Sequence, residues 1–145
     1  MKYLILTFVL FIQINLHAQW VYGGGMKFNS NDDYQAIGLN AKVGKDIGEK
    51  FDLNTDICYY LATGWSFDFD LHYHLFNVND QVILNPLAGI NFTSTDVINN
   101  SLLLGASFRF PTDKYTYYLE PKWILDNNQL IISAVMLDLF AVLFG

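Results

Sequence analysis

The stretch Trp65-Ser66-Phe67-Asp68-Phe69-Asp70-Leu71-His72-Tyr73-His74-Leu75-Phe76 alternates apolar and polar residues as far as Leu75. Trp65, Phe67, Phe69, Leu71, Tyr73 and Leu75 fall on one side of an extended chain, and Ser66, Asp68, Asp70, His72 and His74 fall on the other. A helical period would scatter both sets around a circumference, whereas a period of two keeps them apart. The segment reads as a strand. Phe51–Ala62 repeats the pattern: Phe51, Leu53, Thr55, Ile57, Tyr59 and Leu61 oppose Asp52, Asn54, Asp56, Cys58 and Tyr60.

On either side of these two strands the alternation recurs. Trp20–Phe28 is the first strand, and its Gly23-Gly24-Gly25 run marks a bend or close packing. Tyr34–Lys45 sets Ile37, Leu39, Ala41 and Val43 against Gly38, Asn40, Lys42 and Gly44. Gln81–Phe92 sets Val82, Leu84, Pro86, Ala88, Ile90 and Phe92 against Gln81, Asn85, Gly89 and Asn91. Leu102, Leu104, Ala106, Phe108 and Phe110 oppose Ser101, Gly105, Ser107 and Arg109. Tyr115, Tyr117, Leu119, Pro121, Trp123 and Leu125 oppose Thr116, Tyr118, Glu120 and Lys122. Gln129–Phe144 is apolar on both faces and fits one long strand, or a strand and a short tail. The separators Asn29–Asp33, Asp46–Lys50, Thr63-Gly64, Asn77–Asp80, Thr93–Asn99, Pro111–Lys114 and Asp126–Asn128 hold residues that tolerate turn dihedrals.

The N-terminus gives the compartment. Met1-Lys2 is a short positive start, Tyr3–Leu16 is almost wholly apolar, and Leu16-His17-Ala18 offers a small residue for cleavage. That order is a secretory signal peptide over residues 1–18, which leaves residues 19–145 as one domain. No cysteine follows the cleavage point to carry a lipid anchor. The lone cysteine, Cys58, cannot form an internal disulfide, and it reads as a small buried residue.

Without Lys2 the chain carries seven basic residues against fourteen acidic ones, so nucleic acid is excluded as a partner. Charged residues make up 15% of the chain and aromatic ones 17%, whereas soluble domains are about 25% charged. An exported chain this apolar, with no helical span after residue 20, points to a membrane β-barrel.

Two observations set the apolar face outward. Its side chains are too bulky for the interior of an eight-stranded barrel. The polar face carries Asp, Asn, Ser, Gly and His rather than the Lys and Glu of a water-facing surface. Trp20, Tyr22, Phe28, Tyr34, Phe51, Trp65, Phe92, Phe110, Tyr115 and Trp123 lie near strand ends, as in the aromatic girdles of membrane barrels. The expectation is an all-β fold: an eight-stranded antiparallel up-and-down transmembrane β-barrel in the outer membrane, in contact with its lipids. The rival is a soluble lipocalin-like exported barrel that binds an apolar ligand. A lipid-modifying enzyme and a narrow pore are lesser alternatives.

The segment Pro86-Leu87-Ala88-Gly89-Ile90-Asn91-Phe92 and the later Leu119-Glu120-Pro121-Lys122-Trp123 with Asn128–Ala134 resemble small outer-membrane β-barrel domain proteins common in Bacteroidota. The resemblance implies fold and location and little about activity. Such proteins usually finish on an aromatic residue, whereas here Phe144 is followed by Gly145.

Candidate chemistry is sparse. His72 and His74 have a workable metal-ligand spacing, but a third ligand, such as Asp56 or Asp68, is not fixed by spacing. The plainer reading makes both imidazoles lumen residues bonded to carboxylates, with no metal and no cofactor. Ser66, Ser107 or Ser133 with His72 and Asp70 could compose a nucleophile and base, yet no nucleophile-elbow motif is present, and no enzyme is expected. What the polar faces do compose is a lumen charge network of Lys42, Asp56, Asp68, Asp70, Arg109, Glu120 and Lys122, joined by Lys27 and Asp52. Buried charges must be paired, so a lumen filled this way conducts poorly. The loops are short for a receptor or adhesin. A structural or accessory envelope role remains, with an unidentified membrane-protein partner possible.

Overall fold

The computed structural model describes residues 20–30, 36–61, 64–79, 81–94, 98–126 and 129–137. The expected signal peptide and the end of the last expected strand lie outside these residues.

Nine strands follow one another: β1 Trp20–Asn29, β2 Ala36–Asp46, β3 Phe51–Tyr60, β4 Gly64–Tyr73, β5 Phe76–Asn79, β6 Val82–Ser94, β7 Ile98–Pro111, β8 Thr116–Ile124 and β9 Gln129–Leu137. Each pairs antiparallel with its neighbours. β1 bonds both β2 and β9, and β4 bonds β6, so the sheet closes. β5 continues the line of β4 along β6, which makes eight staves in the barrel wall. No helix among the described residues is long and apolar enough to cross a membrane.

The strand expected over Trp65–Phe76 is interrupted. Pairing with β6 runs to His72↔Leu87 and resumes at Phe76↔Leu84. Three residues intervene on the β4–β5 side and two on β6, so one extra residue bulges near His74. Across this break the His74 amide still donates to the Lys50 carbonyl at 2.8 Å, which holds the chain to the start of β3. Asn77–Asn79, expected as part of a turn, is strand, because β6 offers it a free edge. The expected Thr93–Asn99 loop is also shorter, since β6 and β7 stay paired up to Ser94↔Ile98.

The faces fall as the alternation requires. Trp65 is 49% exposed, Phe69 45% and Leu39 60%, whereas Lys42, Asp56, Asp68, Asp70 and Lys122 are 0% exposed. The exterior is apolar on β1, β2, β3, β4, β6, β7, β8 and β9. That is the reverse of a lipocalin-like barrel and counts against the soluble alternative. The interior also takes in Leu87, Leu103, Ile124, Ile131 and Val135. Leu87, Leu103 and Ile124 keep the inward parity of Asn85, Ser107 and Glu120 on their strands, whereas Ile131 and Val135 lie on β9, which is apolar on both faces.

The β1–β9 seam needs a position without a side chain. A Cβ at Gly25 would lie 1.9 Å from the Ala134 carbonyl oxygen across the β1–β9 seam. Gly25→Ala should therefore lower the urea midpoint by an amount equivalent to about 1–3 kcal/mol, the usual cost of overpacking. Gly48→Ala, with nothing within 4 Å of its added carbon, should leave the midpoint unchanged. Equal midpoints for both variants would show that the seam is looser than described.

The faces yield a second test. Phe69 lies mid-strand on the exposed apolar face. Phe69→Arg should reduce the heat-modifiable folded fraction after insertion into vesicles, because a cation near the bilayer midplane costs about 2–4 kcal/mol. Asp70→Asn, one residue along and inward, should insert far better. The opposite ranking on a boiled-versus-unboiled gel would reverse the faces.

Candidate functional site in the barrel lumen

Inward positions of five strands, β1, β2, β3, β4 and β8, build one charged cluster. β3 and β4 supply acids, and their register sets Asp56 directly opposite Asp68. Two carboxylates so placed repel each other unless cations stand between them. Three lysines do so. Lys27 of β1 reaches Asp68 at 2.6 Å. Lys42 of β2 lies 3.5 Å from Asp56 and 2.6 Å from Glu120. Lys122 of β8 contacts Asp56 at 2.9 Å, Asp68 at 3.3 Å and Glu120 at 3.6 Å, and also holds Asp70. All seven side chains are fully buried.

Neutral donors satisfy other carboxylate oxygens. The Asn40 amide donates to Asp56 at 2.8 Å, the Ser107 hydroxyl to Glu120 at 2.9 Å, and the Asn91 amide to Asp68. This is the condition under which buried ion pairs are tolerated: excellent geometry and few lone pairs left over.

A second cluster lies toward the rim that carries the start of β1 and the end of β9. Arg109 of β7 pairs with Asp52 of β3 and approaches His72 Nδ1 at 3.1 Å. With its amide oxygen turned inward, Asn85 accepts from Arg109 Nε at 2.8 Å. The guanidinium also lies over the Tyr118 ring, 4.9 Å from its centroid. His74 Nε2 is 3.2 Å from Asp52 Oδ1.

Every residue of the expected charge network is therefore in the lumen, together with Lys27 and Asp52. The two histidines separate into different groups: His72 with Asp70 and Glu120, and His74 with Asp46 and Asp52. Asp56 and Asp68 group with Asp70 rather than with either histidine. Alternation placed the lumen residues, but it carries nothing about which strands face each other across the barrel. The contributions of Asn40, Asn85, Asn91 and Ser107 depend on that cross-lumen geometry.

A closed antiparallel sheet with a predominantly apolar wall and a buried polar interior is the architecture of a small transmembrane β-barrel. Solved structures share the fold. The N-terminal β-barrel domain of OprF from Pseudomonas aeruginosa superimposes with a TM-score of 0.59 at 13% identity, covering 83% of this chain and 95% of that one. A transmembrane β-barrel designed de novo gives a TM-score of 0.57 at 13% identity, covering 81% and 91%. No protein-family model and no curated protein matches the sequence.

Because Lys122 touches four carboxylates, its removal should be the costliest single change in the lumen. Lys122→Met should lower unfolding stability by about 3–5 kcal/mol, the cost of leaving buried charge uncompensated, read as a drop in the urea midpoint. Arg109→Ala and Glu120→Ala should act in the same direction. Lys114→Met, at an exposed turn, is the control. A Lys122→Met protein as stable as the control would mean that the lumen is hydrated well enough to need no pairing.

Proposed function

We propose that the chain is an integral outer-membrane β-barrel with a structural or accessory envelope role, its lumen closed by charge pairing. The observation that carries this reading is the fully buried cluster of three lysines and four carboxylates beneath an apolar exterior. Their side chains occupy the space that a hydrated ion would need, and each is held by partners on other strands. In this reading the rim with the start of β1 and the end of β9 faces the periplasm, and membrane lipids are the partner of the wall. Membership in the Bacteroidota group rests on the sequence resemblance alone.

A non-enzymatic role is supported by the partners of the serines. Ser107 donates to Glu120, Ser66 accepts from Asn91 at 3.0 Å, and Ser133 accepts from Asn40 at 3.3 Å. The described hydrogen bonds of these serines thus run to a carboxylate and to amides.

Purified protein in planar bilayers should give little or no steady conductance. In cells it should stay in the outer-membrane fraction after a carbonate wash. Stable nanosiemens-scale openings of one size would replace the plug with a pore, and release by carbonate would remove the membrane assignment.

A further inference from the structure

We infer that Asp70, His72 and Glu120 form a binding site for one buried water molecule, which joins the Arg109–Asp52 pair to the lysine–carboxylate cluster. The hydrogen-bond polarity of the three residues identifies the ligand. Arg109 approaches His72 Nδ1 at 3.1 Å, and a guanidinium has only donors to offer. Nδ1 must therefore accept, and the ring hydrogen is on Nε2. That Nε2–H is buried and has no partner within the protein. Its nearest carboxylate contact, Glu120 Oε1 at 3.9 Å, is too long for a direct bond. Asp70 Oδ1 is likewise buried and unpartnered, since Lys122 is held by Oδ2.

The site thus presents one donor and two acceptors. A water molecule is the complement: its oxygen accepts from His72, and its two hydrogens go to Asp70 and Glu120. The size agrees. A ring nitrogen of His72 and one carboxylate oxygen each of Asp70 and Glu120 lie within 4.8 Å of one another. For three atoms so spaced, a point exists within about 2.8 Å of all of them, an ordinary hydrogen-bond length for water. Buried waters typically make about three such bonds to groups left otherwise unsatisfied.

The same geometry is wrong for a metal ion. Zinc would need a bare nitrogen at about 2.0–2.1 Å, whereas here the nitrogen carries a hydrogen. Each of the three residues also already has a cationic side chain against it: Lys122 at Asp70, Arg109 at His72 and Lys42 at Glu120. Room for Asp70 comes from β6, where its register partner is Gly89; a Cβ there would lie 2.7 Å from Asp70 Oδ1.

The test is nitrogen-15 NMR of the histidine rings in the full chain, refolded in detergent micelles. His72 is assigned by difference against His17→Gln and His74→Gln variants. The expected spectrum has a hydrogen on Nε2 of His72 and none on Nδ1. The Nε2–H should give a cross-peak to a water that exchanges slowly with bulk, and added Zn2+ should not move these resonances. A hydrogen on Nδ1, the absence of a water cross-peak from Nε2–H, or a Zn2+-dependent displacement of Nε2 would each overturn the assignment. The result is independent of conductance, so a barrel that proved to leak could still hold this water.

Discussion

In hydrocarbon no solvent is available to backbone N–H and C=O groups, so a sheet that spans a bilayer must leave no edge unpaired. Here that requirement is met at the β1–β9 seam and at β4–β6, and much of the remaining architecture follows from it. With eight staves the circumference is fixed, and the interior is just wide enough to be filled by side chains. Tight curvature leaves some inward positions with no room for a Cβ. At Gly25 the obstacle is the Ala134 carbonyl, and at Gly89 it is the Phe69 carbonyl, 2.1 Å from where a Cβ would sit.

What fills the lumen is costly material. Seven ionisable side chains shut off from bulk water are stable chiefly through one another. The register makes matters worse by opposing Asp56 to Asp68, and the solution comes from outside that hairpin, through Lys27, Lys42 and Lys122. The cluster is consequently a device of the whole barrel rather than of any adjacent strand pair. Lys27 and Asp68 are 41 residues apart in sequence, and Lys122 and Asp56 are 66 apart.

Two strands made most of the fold legible. The alternation in β3 and β4 is unbroken, and both faces came out as it required, because a one-residue slip would turn Phe69 inward and Asp70 into lipid. The alternation stops at Leu75, but it does not say that the cause is an extra residue near His74; the pairing with β6 reveals that. Leu87 and Leu103 keep the lumen parity of their strands, whereas Ile131 was not legible as a lumen residue, because β9 carries apolar side chains on both faces. The charged lumen residues could be named from period alone. Their pairing could not, nor could the division of His72 from His74, because both depend on which strands meet across the interior.

The distribution of charge along the chain bears on how the barrel comes together. β1–β4 bring Lys27 and Lys42 against Asp52, Asp56, Asp68 and Asp70, an anionic surplus. β7 and β8 bring Arg109 and Lys122 against Glu120 alone, a cationic surplus. Neither half can shed its water cheaply by itself. The two surpluses are complementary, so β1–β4 attract β7 and β8 across the interior, and a low dielectric lengthens that attraction. Lys122 of β8 is where the two surpluses meet, on Asp56, Asp68 and Asp70, so the neutrality of the interior requires the far strands to be in place.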